Sequence, residues 1–200
     1  AVPSGVAGDL GGPEKYTSEQ EVELFTDIAK ESGLNCTFPL VQNSSRPDER
    51  RKCLEWVAQA NHEGVHITPQ VTTRPIGFVT SLKIYHMFQR RPTYLALEKL
   101  PLAERVAEMR KPEVRAAILA EADVPTGLPG PLANMHEVMA EAAEEMFPVD
   151  VPINYEPDAR NKMGVLAAAA GKTVPEYLYD FLTDNGGENF AIVMAANYVD

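Results

Sequence analysis

An α/β protein, with parallel strands joined by crossover helices and a helical lobe inserted between them, is what this sequence predicts. Three features carry that expectation. Between Ser18 and Val71 a helix-like segment is followed by a strand-like one, and the order then repeats. From about Phe78 to Phe147 strand signals give way to helical periodicity. After Gly187 the run NFAIVMAANYVD is almost continuously apolar, as in a strand buried on both faces of a parallel sheet. Parallel neighbours need a crossover connection, and two helix-to-strand units, each closed by a single glycine, supply that pattern.

Residues 1–16 are rich in Gly, Pro and Ala, lack a period and read as a flexible lead. The first helix opens at Ser18, with Glu21 completing a capping box. Val22, Phe25, Ile28 and Ala29 then recur at helical spacing until Gly33. Residues 35–42 (NCTFPLVQ) read as a strand, placed at an edge or bulge by Pro39, which donates no ladder hydrogen bond. Ser45 and Pro47 open a second helix, which runs through Leu54, Val57 and Ala58 and stops at Gly64; VHITPQV at 65–71 follows as a β-branched strand. Residues 17–77 therefore form the first α/β part.

Residues 78–150 read as the helical insertion, with segments opening near Pro92, Pro101, Pro112 and Asn134. The last places Met135, Val138, Met139, Ala142, Ala143 and Met146 on one face, a pattern that serves a core or a pliable binding surface. DVPTGLPGPLAN at 123–134 is dense in turn residues. Residues 151–200 read as a return to the sheet. They hold helices at about 158–170 and 173–182, the second with a Thr173/Glu176 capping box, then DNGG as a turn into the final apolar run.

The 200 residues carry 18 Lys and Arg against 29 Asp and Glu, a net charge of −11, with 44% hydrophobic residues. Nucleic acid and anionic membrane are disfavoured as partners by that field, since the basic run Arg50–Lys52 is flanked by Asp48, Glu49 and Glu55. Two cysteines, Cys36 and Cys53, fit a reducing, cytoplasmic setting better than a disulfide scaffold. No apolar run reaches the roughly 18–20 residues of a membrane span. The chain opens on Ala1 and stops at Asp200 beside an apolar run, and it reads as a piece of something longer.

Among short motifs, His62-Glu63-Gly64-Val65-His66 fits H-E-x-x-H. In a zinc peptidase both histidines face one metal from a continuous helix while the glutamate polarises its water. Here Gly64 falls at a helix end and Pro69 follows, so the expected arrangement is a helix-end His62 and a strand His66; His86 or Glu98 could supply a third ligand, but nothing in the sequence fixes either near the first two. Cys36 and Cys53 lack metal-ligand spacing and read as buried thiols. The acidic stretch from Glu144 to Asp158 serves equally as acid–base groups or as a solvated loop. No serine-hydrolase elbow, phosphate loop or dinucleotide fingerprint is present. In parallel α/β architectures, loops at the carboxyl ends of strands build the site. That rule selects Gln70, Thr72 and Arg74 beyond the second strand, and Asn197 in the last strand-like run, as substrate-binding candidates. No residue is selected as catalytic or as a metal ligand.

The Arg-Pro-x-Gly loop at Arg74–Gly77, the helices LPLAERVAEMRKPEVR from Leu100 to Arg115, and YEPD at Tyr155–Asp158 before an Ala-rich helix give the chain a family likeness. Over nearly all of residues 17–200 it resembles the D-aminoacylase (N-acyl-D-amino-acid deacylase) branch of the amidohydrolase superfamily. The resemblance implies a partial (β/α)8 amidohydrolase barrel plus an inserted helical lobe. It implies a parent hydrolase in which zinc generates hydroxide that attacks the amide of an N-acyl amino acid, a C–N bond other than a peptide bond. The family's H-x-H pair and catalytic Asp are absent here and by family order would precede Ala1 and follow Asp200; Leu40 stands where a ligand histidine would fall. Zinc is thus expected in the parent and not in this segment, whose partners would be the rest of the parent chain and a small N-acyl amino acid. A closed barrel takes about 250 residues, so this segment alone is expected to be inactive. The competing readings are a zinc peptidase using His62, Glu63 and His66, and a non-catalytic helical binding module with a methionine face.

Overall fold

The structure, a computed structural model, describes residues 17–42, 48–73, 76–128, 133–150 and 152–197. Those residues divide into two compact units. The first holds the described residues up to Gly77 together with Ala195–Asn197, and the second those from Phe78 to Met194.

The first unit is built from two α/β repeats. Helix α1, Ser18–Ser32, is capped by Thr17, whose side chain accepts from Gln20 N–H while the Gln20 side chain accepts from Thr17 N–H. The capping box therefore lies one residue before the Ser18/Glu21 frame. The stretch Thr17-Ser18-Glu19-Gln20-Glu21 satisfies the motif in both frames, and Thr17 is the residue with extended backbone. Gly33, at φ 67, closes the helix in the left-handed conformation and donates to Ala29 O. Strand β1, Cys36–Pro39, leads to α2, Glu49–His62, and then to β2, Ile67–Gln70. The start of α2 predicted at Ser45 and Pro47 falls outside the described residues. β1 and β2 are parallel, with Cys36 opposite Ile67 and Pro39 opposite Gln70. The ladder continues past Pro39, because Leu40 N–H donates to Gln70 O at 2.7 Å.

Burial explains the arrangement. Val22, Phe25 and Ala29 of α1, Cys53, Val57 and Ala60 of α2, and Phe38 and Ile67 of the strands form one apolar core. Phe25 stacks on Phe38 with ring centroids 5.1 Å apart. Truncating Phe25 to Ala would remove that contact and open a cavity, at a cost of about 3–5 kcal/mol. Ile28, counted on the apolar face from spacing, lies at its edge and is 38% exposed.

The second unit contains β3 (Ile76–Thr80, which begins in the first unit), α3 (Pro92–Leu97), α4 (Leu102–Met109), α5 (Pro112–Ala120), α6 (Met135–Glu141), β4 (Phe147–Pro148), α7 (Met163–Ala169), α8 (Val174–Thr183) and β5 (Ala191–Ala196, whose last two residues belong to the first unit). Proline stands at the N-cap or first turn of α3, α4, α5 and α8, where its missing N–H costs no hydrogen bond. Thr173 and Glu176 form the expected capping box of α8. Residues 158–170 are not one helix. A short 3-10 turn at Ala159–Asn161, capped by Asp158, precedes α7.

Two expectations about the strands need correction. The three apolar runs do not share one sheet: β1 and β2 form a two-stranded sheet, whereas β5 is central in a second sheet of order β3-β5-β4. β5 pairs antiparallel with β4, Phe147 opposite Ile192 and Pro148 opposite Ala191. Residues 78–147 are not strandless either, since β3 runs to Thr80 and β4 begins at Phe147. Pro75 and Gly77 mask β3 as a loop, and β4 is too short to leave a pattern.

The methionine face is core. Met135, Met139 and Met146 pack with Met109, Met163, Leu178 and Leu182, and the apolar stripe presents no methionine surface to a partner. Tyr179, 1% exposed, sits edge-on to Phe88 and donates its hydroxyl to Met109 O at 2.8 Å, which satisfies the one polar atom of a buried ring. No helix among the described residues is long and apolar enough to cross a membrane.

Candidate functional site

The residues that extend β1 and β2 at their carboxyl ends meet Asn197, just past β5 and inside the first unit. Asn197 N–H donates to Gln42 O at 3.0 Å, and Asn197 Oδ1 accepts from Gln42 N–H at 2.8 Å. One asparagine thus satisfies both backbone groups of Gln42, a residue only 5% exposed. The remaining amide, Asn197 Nδ2, donates to Thr72 Oγ1 at 2.7 Å. This geometry requires a left-handed backbone at Asn197, φ 61, which asparagine adopts more readily than other residues bearing a Cβ.

Of the four residues selected by strand-end logic, Thr72 and Asn197 are brought into direct contact. Gln70 lies at the end of β2 with an exposed residue surface and contributes its carbonyl to the ladder. Arg74 lies outside the described residues. Gln42 was not singled out from the sequence; its position at the end of a strand-like run is the signal that could have marked it. Among the described residues the hydrogen-bonded groups here are neutral amides and a hydroxyl, the kinds of group that can hold a polar substrate group.

The H-E-x-x-H segment lacks the geometry of a zinc helix. α2 ends at His62, Gly64 takes φ 89, and His66 O accepts from Cys36 N–H at 2.8 Å as the chain enters β2. Glu63 accepts from Gln59 Nε2 at 2.8 Å and faces Lys30 at 3.6 Å. The Gln59 hydrogen bond and the Lys30 charge hold its carboxyl below the ordinary glutamate range, so it stays ionised. His86 lies in the second unit, 1% exposed. Cys36 and Cys53 are free thiols; Cys53 belongs to the first core, where burial raises its pKa, and Cys36 packs against it. Among the described residues, no three His, Cys, Asp or Glu side chains are grouped so as to hold a metal ion. Leu40 is a core residue, 5% exposed. The described donor set does not fit zinc.

Two carboxylates of the acidic stretch have structural partners. Asp158 caps the 3-10 turn and binds Arg160, and Glu145 pairs with Lys162 at 2.5 Å. No protein-family model, curated protein or solved structure matches the chain.

Proposed function

We propose that this chain is the substrate-positioning part of an amidohydrolase that cleaves N-acyl amino acids, with Thr72, Arg74 and Asn197 at the rim that receives the substrate. The observation that carries the reading is the Asn197 side chain, which joins the carboxyl-terminal extensions of two parallel strands through Gln42 and Thr72. Strand carboxyl ends are where α/β enzymes bind small molecules. The resemblance of residues 17–200 to the D-aminoacylase branch supports the choice of substrate.

In this role the chain orients and does not perform the bond cleavage. The Thr72 hydroxyl and the Asn197 amide form a fixed polar edge. An arginine at position 74 offers two parallel hydrogen bonds to the free carboxylate of an N-acyl amino acid, which lysine reproduces poorly. No step is assigned to a metal, because the described side chains do not form a site for one.

The test is hydrolysis of N-acetyl-D- and N-acetyl-L-amino acids by the protein that carries this segment, assayed with zinc present. Arg74→Lys is expected to lower kcat/KM on the free acid by about 10-fold to 150-fold, corresponding to about 1.5–3 kcal/mol, and to affect the methyl ester much less. Absence of hydrolysis on either enantiomer would end the amidohydrolase reading. An equal loss on acid and ester would remove Arg74 from carboxylate recognition.

A further inference from the structure

A cleft of about 580 Å³ opens within the second unit, beside the loop that leaves β3. The loop is held by its own polar groups: Thr80 Oγ1 donates to Tyr85 O at 2.7 Å, and His86 N–H donates to Gln89 Oε1 at 3.1 Å. These bonds place His86 against the Tyr94 ring, centroids 4.5 Å apart and nearly perpendicular. The Arg105 guanidinium carbon lies 5.7 Å from the centroid of the same ring, so His86 and Arg105 both pack on Tyr94 in the cleft wall.

Two donors there are unused. His86 Nδ1 accepts from Phe88 N–H at 3.2 Å, so in the neutral ring the proton resides on Nε2. Neutrality follows from burial and, secondarily, from the Arg105 charge, which together bring the His86 pKa down to about 3. Among the described residues, His86 Nε2–H, on a side chain 1% exposed, has no hydrogen-bond partner, and neither does the buried Arg105 Nε–H. The other Arg105 nitrogens are committed to carbonyls, of Glu98 at 3.0 Å and Leu82 at 2.8 Å. A buried donor left without an acceptor is costly, and such groups are rare in native interiors.

The charge of the wall points to the sign of the ligand. Lys83 is neutralised by Glu188. Arg90, Lys99 and Arg105 remain, none in an ion pair with a described carboxylate, against the single acid Glu98. This excess of cations occurs in a chain of net charge −11. At the rim Ile84 and Tyr85 are 46% and 52% exposed, an apolar edge beside a cationic floor.

We propose that this cleft binds a small organic carboxylate, its acid oxygens accepting from His86 Nε2–H and Arg105 Nε–H and its apolar part lying along Ile84 and Tyr85. A carboxylate supplies two acceptor oxygens for two donors, and the charge-assisted bond to arginine is the stronger. The site is separate from the strand-end residues of the first unit and does not rest on the amidohydrolase reading.

Benzoate is the probe, titrated into the isotope-labelled chain and followed by NMR at the His86 and Arg105 ring and guanidinium N–H groups. Benzamide serves as the uncharged analogue and inorganic phosphate as the anion without an apolar part. Benzoate is expected to shift both N–H resonances saturably, with benzamide at least about tenfold weaker, the loss that follows from removing one hydrogen bond to a charged group, and with phosphate weaker because it lacks the apolar contact with Ile84 and Tyr85. Tyr85→Ser, at an exposed position, is expected to weaken benzoate binding and leave phosphate unaffected; Arg105→Gln is expected to weaken benzoate at least about tenfold. The wild-type titration decides even where Arg105→Gln fails to fold. The proposal is overturned by the absence of a saturable benzoate shift, by phosphate binding as tightly as benzoate, or by unchanged benzoate affinity in a folded Arg105→Gln protein.

Discussion

Asn197 closes a two-bond ring with Gln42, giving its backbone N–H to Gln42 O and receiving Gln42 N–H on its side-chain oxygen. A side chain here takes the place that a second strand residue has in an ordinary ladder. Gln42 N–H is therefore satisfied by an atom that a single substitution can remove. Asn197→Gly keeps the left-handed backbone free of strain and deletes the acceptor, and is expected to cost about 1–3 kcal/mol. Asn197→Ala adds the penalty of a Cβ at positive φ, roughly a further 1 kcal/mol. Denaturant midpoints measure both losses, and hydrogen exchange at the Gln42 amide reads the bond itself. Undiminished protection of that amide in Asn197→Gly would show that another group holds it.

Metal content follows from where the H-E-x-x-H residues lie. With His62 at the end of α2, His66 entering β2 and Glu63 engaged by Gln59 and Lys30, the chain is expected to retain no stoichiometric zinc after dialysis. Elemental analysis checks this. One tightly bound zinc, lost in both His62→Ala and His66→Ala, would restore the peptidase assignment.

How much of this was legible depends on what each pattern encodes. The α/β repeats of the first unit could be read because the capping motif at the first helix, the glycines that follow both helices and the β-branched run of β2 are local signals, although the first cap is Thr17 and not Ser18, and the start placed at Ser45 and Pro47 lies outside the described residues. Sheet membership could not: an apolar run such as Ala191–Ala196 tells that both faces are covered, not which strand lies alongside. Strand-end logic reached Thr72 and Asn197 through chain direction alone. The bond between them depends on the positive φ of Asn197, which no spacing in the sequence announces. His86 attracted notice only as a possible zinc ligand. Its significance lies in the Phe88 N–H bond that fixes its tautomer and in the burial that leaves Nε2–H alone, and both are products of packing.

The two glycines of the DNGG turn should respond differently to the same change. Gly186 and Gly187 both have positive φ, 67 and 82. A Cβ on Gly186 meets nothing within 4 Å, whereas one on Gly187 would lie 2.7 Å from Val106 Cγ2 and 3.1 Å from Leu102 Cδ1 of α4. Gly186→Ala is expected to cost only the backbone strain, about 1 kcal/mol. Gly187→Ala adds overpacking of about 1–3 kcal/mol against a buried helix face. Equal melting temperatures for the two variants would mean that α4 yields to the methyl group without loss.

His86 makes stability depend on pH in a calculable direction. Its pKa falls from 6.5 in the unfolded chain to about 3 when burial excludes the charged ring. Between those values the unfolded chain binds the proton and the native protein does not, so the free energy of unfolding falls as the pH is lowered below 6.5. At pH 5.5, one unit below the unfolded pKa, the loss attributable to His86 is about 1.4 kcal/mol, and it grows by about the same amount for each further unit until the native pKa is approached. His86→Gln isolates the contribution from that of every other group, since a glutamine at 86 takes up no proton. Urea unfolding of the two proteins at pH 7.5 and pH 5.5 should show wild type losing about 1.4 kcal/mol more than the variant. The same organic carboxylate that occupies the cleft would raise the wild-type midpoint at both pH values by binding only the native state. Parallel losses in wild type and His86→Gln would mean that the imidazole takes up its proton in the folded protein, and that the cleft reaches it with water.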